Sequence, residues 1–366
     1  MEARPDTTGR IGTLDILRLF SALAVLAFHY AWRGHMGAAP LLDGTPSLAA
    51  AWALPGYLGL NLFFMISGFV IAWSAEGRNV RQFVISRITR LYPGFVICMS
   101  LTFAVLLVAN DPRFAVAPSQ WLANLLMVPQ VAGQPFMDGV YWTIVLEMIF
   151  YGWVALAIAA GLFTSRKLTL VTVWLALAML NEQVIGSGAL RFALITEYAP
   201  WFAFGVLVQH MTVHGRSAEA LMLAFAALII GITHLTNMQA WMMIHYNAAL
   251  PKSGLVAGGL AISGLFLLAV ALRHHVASTP AVLAAGGITY PLYLLHQNIG
   301  YVAINAARPV FGANAATLLV AAAMLLISYA VWRLGERPGQ RRMRALLEAL
   351  LDRSAVLITG VRGRTA

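Results

Sequence analysis

Apolar stretches of membrane-spanning length recur ten times along this chain, at residues 13–31, 56–75, 91–109, 141–162, 167–183, 192–210, 218–235, 254–272, 283–305 and 314–333. A helix needs roughly 20 predominantly apolar residues to cross the hydrocarbon of a bilayer. In lipid, its backbone groups are satisfied within the segment. The pattern therefore predicts an all-α fold, a polytopic membrane helical bundle of about ten transmembrane helices. Composition agrees. Hydrophobic residues make up 60% of the chain and charged residues 10%, with a mean hydropathy of +0.77, a balance foreign to soluble domains. The fifth stretch is short and carries Trp174, which fits a tilted or partial span.

A net charge of +10 in a soluble protein would point to nucleic acid. Here the position of the charges decides. With the N-terminus inside, the cytoplasmic segments hold 18 Lys and Arg residues and the outer segments 5, Arg18 lying within a span. That asymmetry predicts both termini cytoplasmic, an even number of spans and a multi-pass protein of the cell inner (plasma) membrane, with no nucleic-acid partner. The first apolar core, Leu19 to Phe28, has the length of a signal-peptide core, but no small-residue cleavage site follows promptly, so it reads as a retained helix. The single cysteine, Cys98, sits in an apolar run and reads as a packing residue. Trp52, Tyr57, Trp121, Tyr141 and Trp142 fit an interfacial aromatic belt. Residues 1–335 form the expected transmembrane domain. Residues 336–366 form a basic tail with Met343, Leu346, Leu347, Leu350 and Leu351 at helical spacing, expected as an amphipathic helix on the inner leaflet. No internal repeat is visible, which weighs against a repeat-built transporter.

Within these apolar segments a few polar residues stand out, and intramembrane ionisable groups are functional candidates by default. His29 follows Arg18 by eleven residues, so the two lie on nearly one helical face, about 16 Å apart along the axis at 1.5 Å per residue. His29 lies near the outer end of its span, where a histidine either bonds a neighbouring helix or serves as a general base. Arg18, near the inner end, either snorkels and pairs with Asp15 or meets an anionic ligand from inside. Arg87-Ile-Thr-Arg90 presents two guanidiniums on one face at the inner edge. The pair is ordinary positive-inside charge or a bidentate phosphate site. Between Gly56 and Gly68, small residues at 56, 59, 67 and 68 allow close helix approach, and Asn61 and Ser67 are polar groups able to line a channel. In the fourth span Glu147 lies well inside an apolar run with Tyr151 one turn on, next to Trp142 and Thr143. It is either one half of a buried ion pair or a carboxylate that orients an imidazole. His296, in Tyr290-Pro-Leu-Tyr-Leu-Leu-His296, reads as a packed histidine or a ligand contact. No spacing indicates a metal site.

Taken together and in order, these segments resemble the integral-membrane acyltransferase family 3. The resemblance rests on Arg18 and His29, on the Gly-rich Phe-Phe…Ser-Gly stretch at 56–68, on Arg87 and Arg90, on Trp142, Glu147, Phe150 and Tyr151, and on Tyr293, Leu294 and His296. It covers roughly residues 10–335. It implies a membrane O-acyltransferase that moves an acyl group, usually acetyl, from cytoplasmic acyl-CoA as co-substrate, with no bound cofactor, to a hydroxyl of a sugar in a cell-surface or exported glycan or of a lipid-linked glycan. A macrolide-like small molecule is the alternative acceptor, and a non-enzymatic ten-span transporter or flippase is the rival class. On this reading Arg87, Arg90 and Arg18 hold the donor phosphates and the pantetheine arm threads between helices. Arg18 and His29 then line one path, with His29 as base and Glu147 as its orienting carboxylate. Asn61, Ser67, Trp142, Tyr151 and His296 line the acceptor site or tunnel. At Asn61 the resembled family often has an acidic residue, so no charged role is expected there.

Overall fold

The computed structural model describes residues 11–46 and 49–362, with side chains described to residue 352. All regular structure among them is helical. The principal helices are α1 (Gly12–Ala27), α2 (Gly59–Ala75), α3 (Val80–Ala109), α4 (Trp142–Ala159), α5 (Lys167–Leu180), α6 (Ala199–His214), α7 (Ala218–Tyr246), α8 (Lys252–Ala271), α9 (Pro280–Leu295), α10 (Asn298–Phe311), α11 (Ala313–Ala330) and α12 (Arg337–Arg362). Three of their starts carry side-chain caps. Asn79 and Gln82 form a reciprocal capping box at α3, and Ser217 and Thr279 accept from the first-turn N–H groups of α7 and α9. Three of the helices run on through π-helical turns, at Phe28–Trp32, Asn181–Ile185 and Val331–Glu336. Such turns are rare and recur at functional sites.

Nine stretches among the described residues are long and apolar enough to cross a membrane. The difference from the expected ten lies in 283–305. That segment is not one helix but two, α9 and α10, parted at His296–Gln297. The break falls on the polar triplet His296-Gln297-Asn298, which the apolar residues on either side mask in a span-length average. Partners from elsewhere in the fold hold it open. The Tyr30 hydroxyl donates to the His296 carbonyl at 2.7 Å. Asp138 accepts the Asn298 N–H at 2.8 Å and also the Val140 N–H that opens the turn before α4. Asp138 is fully buried, and burial pushes its carboxyl up to about 7. α11 then returns along both α10 and α9, so the broken pair takes the place of the ninth span. Three other segments differ in extent. The sixth expected span, 192–210, is divided between a short helix at Gly188–Leu194 and α6 at Ala199–His214. α3 begins at Val80, which puts Arg87 and Arg90 inside a continuous helix rather than ahead of it, and α7 reaches Tyr246, well past the expected end at 235.

Small residues set the helix spacing, as expected for association in lipid. A Cβ on Gly56 would meet the Ala24 carbonyl oxygen at 2.2 Å, which brings the turn before α2 against α1. The Ser21 hydroxyl donates to the Gly59 carbonyl at 2.7 Å across the same contact. Gly68 and Gly205 face the opposing backbones of α6 and α2, where a Cβ would lie 2.1 Å from the Phe202 oxygen and 2.0 Å from the Met65 oxygen. Cys98 is buried as a free thiol among the core residues. α12, the expected amphipathic tail, packs against α3, with Arg81 and Asp352 paired at 2.5 Å. The sequence-drawn boundary at 335/336 falls inside the π turn Val331–Glu336, and Glu336 itself is fully buried.

Candidate active site

Two cavities enter the bundle from its two ends. The first, of about 620 Å³, is lined by Arg18 of α1, Ser67 of α2, Arg87 and Arg90 of α3, Glu147 and Tyr151 of α4, and Arg333 and Arg337 at the junction of α11 and α12. The second, of about 690 Å³, is lined by His29 and Arg33 at the far end of α1, Asn61 at the start of α2, Trp142 at the start of α4, and Tyr293 and Gln297 at the helix break. Arg18 and His29 thus occupy opposite ends of one helix, as their spacing predicts. They open, however, into two cavities and not onto one continuous path. Phe63 lines the first cavity and Tyr293 the second, and their rings stack at 6.4 Å between centroids. The Thr143 hydroxyl donates to the Tyr293 oxygen at 2.9 Å, which fixes that ring from α4. This ring pair lies where the basic chamber and the aromatic one come nearest through these two residues.

At the wall of the aromatic cavity, the π turn after α1 places His29 against the helix break. His29 Nδ1 lies 2.9 Å from the Val25 carbonyl oxygen and 3.0 Å from His296 Nε2. A carbonyl can only accept, so His29 Nδ1 carries the hydrogen. His296 Nδ1 lies 2.8 Å from the Tyr293 oxygen and 3.1 Å from the Leu292 oxygen, so it too carries its hydrogen. His296 Nε2 is then an acceptor, and the His29 Nδ1–H is shared between it and Val25. The base-capable nitrogen of His29 is therefore Nε2, on a ring that lines the cavity. His296 is 1% exposed, and its own backbone carbonyl is held by Tyr30. Of the two readings of His296 from sequence, the packed histidine fits: it lines neither cavity, and what it touches is His29 rather than a ligand space.

Glu147 is elsewhere. It was expected to orient His29, but it lines the basic cavity, where it accepts from the Ser67 hydroxyl at 3.1 Å and from Tyr151 at 2.6 Å. Seen from the face of α4, the reason is plain. Glu147 lies more than one turn past Trp142, which reaches the aromatic cavity, and so falls on the basic side of the ring pair. The arginines differ among themselves. Arg18 donates to buried Asp15 at 3.1 Å, and Gly286 of α9 makes room for that carboxylate, since a Cβ there would sit 2.4 Å from it. Arg90 is ion-paired with Glu336, whose Oε1 also accepts from Gln340 at 2.8 Å. Arg87 stacks over the Tyr151 ring at 5.8 Å and donates through Nε to Ser86, and no carboxylate among the described residues pairs with it. Of the three expected phosphate ligands, Arg87 has the guanidinium most open to a new anion.

Sequence reasoning passed over several groups here. Glu182 and Glu197 lie within the fifth and sixth expected spans, and the rule that flagged Glu147 applies equally to them. Glu182 takes a bidentate contact from Arg191, closest at 2.8 Å, and also accepts from Thr196 and Asn181. Both glutamates line the aromatic cavity, as do His234, Tyr198 and Trp241. Glu336 carried a weaker signal: one acid in a run of basic residues at a helix junction.

The acyltransferase-domain family matches residues 11–333 of the chain. Among curated proteins, the exopolysaccharide production protein ExoZ of Rhizobium meliloti is 26% identical over 306 residues, covering 79% of this chain and 91% of that protein. Acyltransferase MdmB of Streptomyces mycarofaciens is 28% identical over 155 residues, 40% of this chain and 39% of that protein. O-acetyltransferase OatA of Staphylococcus aureus is 26% identical over 158 residues, 38% of this chain and 23% of that protein. No solved structure matches. The chain belongs to this acyltransferase family and is a multi-pass membrane enzyme. The rival reading as a non-enzymatic transporter or flippase ends with that membership.

Proposed function

From membership of this acyltransferase family, we propose that the enzyme moves an acyl group, acetyl foremost, from acyl-CoA held in the basic cavity to a sugar hydroxyl held in the aromatic cavity. The acceptor sugar belongs to a glycan bound for the cell surface. The similarity to ExoZ over most of both chains favours a polysaccharide building block over a macrolide. The basic cavity faces the cytoplasm of the inner membrane, in keeping with the excess of Lys and Arg in the segments on that side.

One observation carries the reading: His29 holds its Nδ1–H against two acceptors, Val25 and His296, and so keeps Nε2 as a lone pair on the cavity side of the ring. The acceptor oxygen attacks the thioester carbonyl carbon and forms a C–O bond. Its proton passes to His29 Nε2. The C–S bond then breaks, and the CoA thiolate takes the proton back, so the products are an ester and free CoA. His296 accepts from the imidazolium as it forms and stabilises that charge, the part that a carboxylate plays in a serine-protease triad. His296 acts through His29 and is a positioning residue. Arg87 holds donor phosphate. Arg18 and Arg90 add positive field from their paired positions. Glu147 keeps Ser67 and Tyr151 in place beside the donor. The Phe63–Tyr293 ring pair separates the two substrates and must part for the pantetheine arm to reach His29.

The test is transfer from radiolabelled acetyl-CoA by purified protein in nanodiscs. His29→Ala is expected to abolish it, and Arg87→Ala to raise KM for acetyl-CoA more than KM for acceptor. Full turnover by His29→Ala would remove the catalytic assignment, and an unchanged donor KM in Arg87→Ala would remove the phosphate role. Cysteine-accessibility mapping of 76–90 from the cytoplasmic side, and of 32–55 from the other, checks the orientation.

A further inference from the structure

The wall of the aromatic cavity formed by the turn before α6 and by α7 is built from groups the transfer chemistry leaves unused. His234 of α7 lines that cavity and is 6% exposed. Its Nδ1 lies 3.3 Å from the Glu197 carbonyl oxygen, which can only accept, so Nδ1 is the donor. Nε2 is then a lone pair, buried, and without a hydrogen-bond partner among the described residues. Buried acceptors of this kind are rare, because an unmade hydrogen bond leaves desolvation uncompensated. Glu197 lines the same cavity, and no ion pair forms to its carboxylate among the described residues, whereas neighbouring Glu182 is consumed by Arg191. Aromatic faces complete the wall. Tyr198 sits 5.4 Å from Trp142 between ring centroids, and Trp241, 48% exposed, stands at the outer rim.

We propose that His234 and Glu197 form the hydroxyl-recognition subsite for the acceptor, and that the acceptor is a pyranoside. Two acceptors without donors suit a ligand that brings O–H groups: one hydroxyl donates to His234 Nε2 and another to the Glu197 carboxylate. A pyranose also has an apolar C–H face, which suits Trp241 and Tyr198, and it leaves a further hydroxyl to meet His29 across the cavity. The cavity volume of about 690 Å³ is in the range of small-molecule sites. The inference rests on the acyl-acceptor reading above and adds to it the substrate class and the residues that select it.

The experiment uses the full chain in nanodiscs with the methyl glycosides of glucose, galactose and mannose as probes. Binding is read by saturation-transfer NMR without donor, and transfer by radiolabelled acetyl-CoA. His234→Leu is expected to weaken binding of the preferred glycoside and raise its KM by about three- to tenfold, the worth of one neutral hydrogen bond, with KM for acetyl-CoA shifting less than twofold. If His234→Leu does not fold, as judged by its thermal transition, Trp241→Ala decides. That residue is half-exposed at the rim, and its loss is expected to weaken the same binding severalfold. Unchanged glycoside binding and KM in the folded variants, with His29→Ala still inactive, would overturn the subsite alone and leave Nε2 bonded to a water. Failure of the wild-type enzyme both to bind any glycoside and to acylate one would overturn the subsite together with the sugar-acceptor reading.

Discussion

Replacing His296 separates the histidine pair from every other account of His29. The His29 Nδ1–H is shared between the Val25 carbonyl at 2.9 Å and His296 Nε2 at 3.0 Å. In His296→Phe the Val25 contact remains, so the tautomer of His29 survives. What is lost is the second acceptor at the moment the imidazole becomes charged. A hydrogen bond to a charged group is worth about 1.5–3 kcal/mol, so kcat is expected to fall roughly ten- to 150-fold. The loss should stay well short of the drop of about four orders of magnitude that follows when the wrong tautomer is imposed on a catalytic histidine. His296→Gln, whose amide oxygen can accept from the same Nδ1–H, is expected to recover part of the rate. The ring volume is retained in Phe and the Tyr30 bond is to the backbone, so the helix break stays in place. The assay is steady-state transfer from acetyl-CoA by nanodisc-held enzyme, with kcat and both KM values resolved for His296→Phe, His296→Gln and Glu147→Gln. Glu147→Gln is expected to move the donor KM instead of the rate, since Glu147 touches Ser67 and Tyr151. Equal kcat in wild type and His296→Phe would refute the reasoning, as would a Gln variant no better than Phe.

Three further outcomes follow from the packing. Phe63→Ala removes one ring of the stacked pair between the chambers and is expected to raise acetyl-CoA hydrolysis severalfold in the absence of acceptor; an unchanged rate of free-thiol release would show that the ring pair is not the barrier. Glu336→Ala leaves Arg90 without its buried carboxylate and is expected to cost about 1–3 kcal/mol, read as a lowered transition in detergent thermal unfolding. Gly68→Ala places a methyl group where the Phe202 oxygen now lies 2.1 Å away, which pushes α2 and α6 apart; overpacking of this kind costs about 1–3 kcal/mol or more, and a native-like elution profile with an unshifted thermal transition would argue that the crossing is looser than described.

How much of this was legible in the sequence depends on the range of the forces involved. Hydropathy is local and additive. It located the bundle, most of its spans, and Arg18 and His29 at opposite ends of one helix, because rise and period follow from the backbone alone. Small residues at 56, 59 and 68 carried their packing role in their size. The intramembrane charge rule found Glu147, and applied throughout it would have found Glu182 and Glu197 as well.

Tertiary structure decided the pairings. The break between α9 and α10 leaves only the polar triplet His296-Gln297-Asn298 as a local mark, and the groups that satisfy it, Tyr30 and Asp138, come from distant parts of the chain. For the same reason His296 and not Glu147 meets His29: the partner of an imidazole is set by which helix ends converge within about 3 Å, and hydrogen bonds act only over that distance. The sequence by itself determined that this chain crosses the membrane and which polar groups go with it. Which of them touch, and on which side of the Phe63–Tyr293 rings each one falls, is a property of helix packing that no single segment contains.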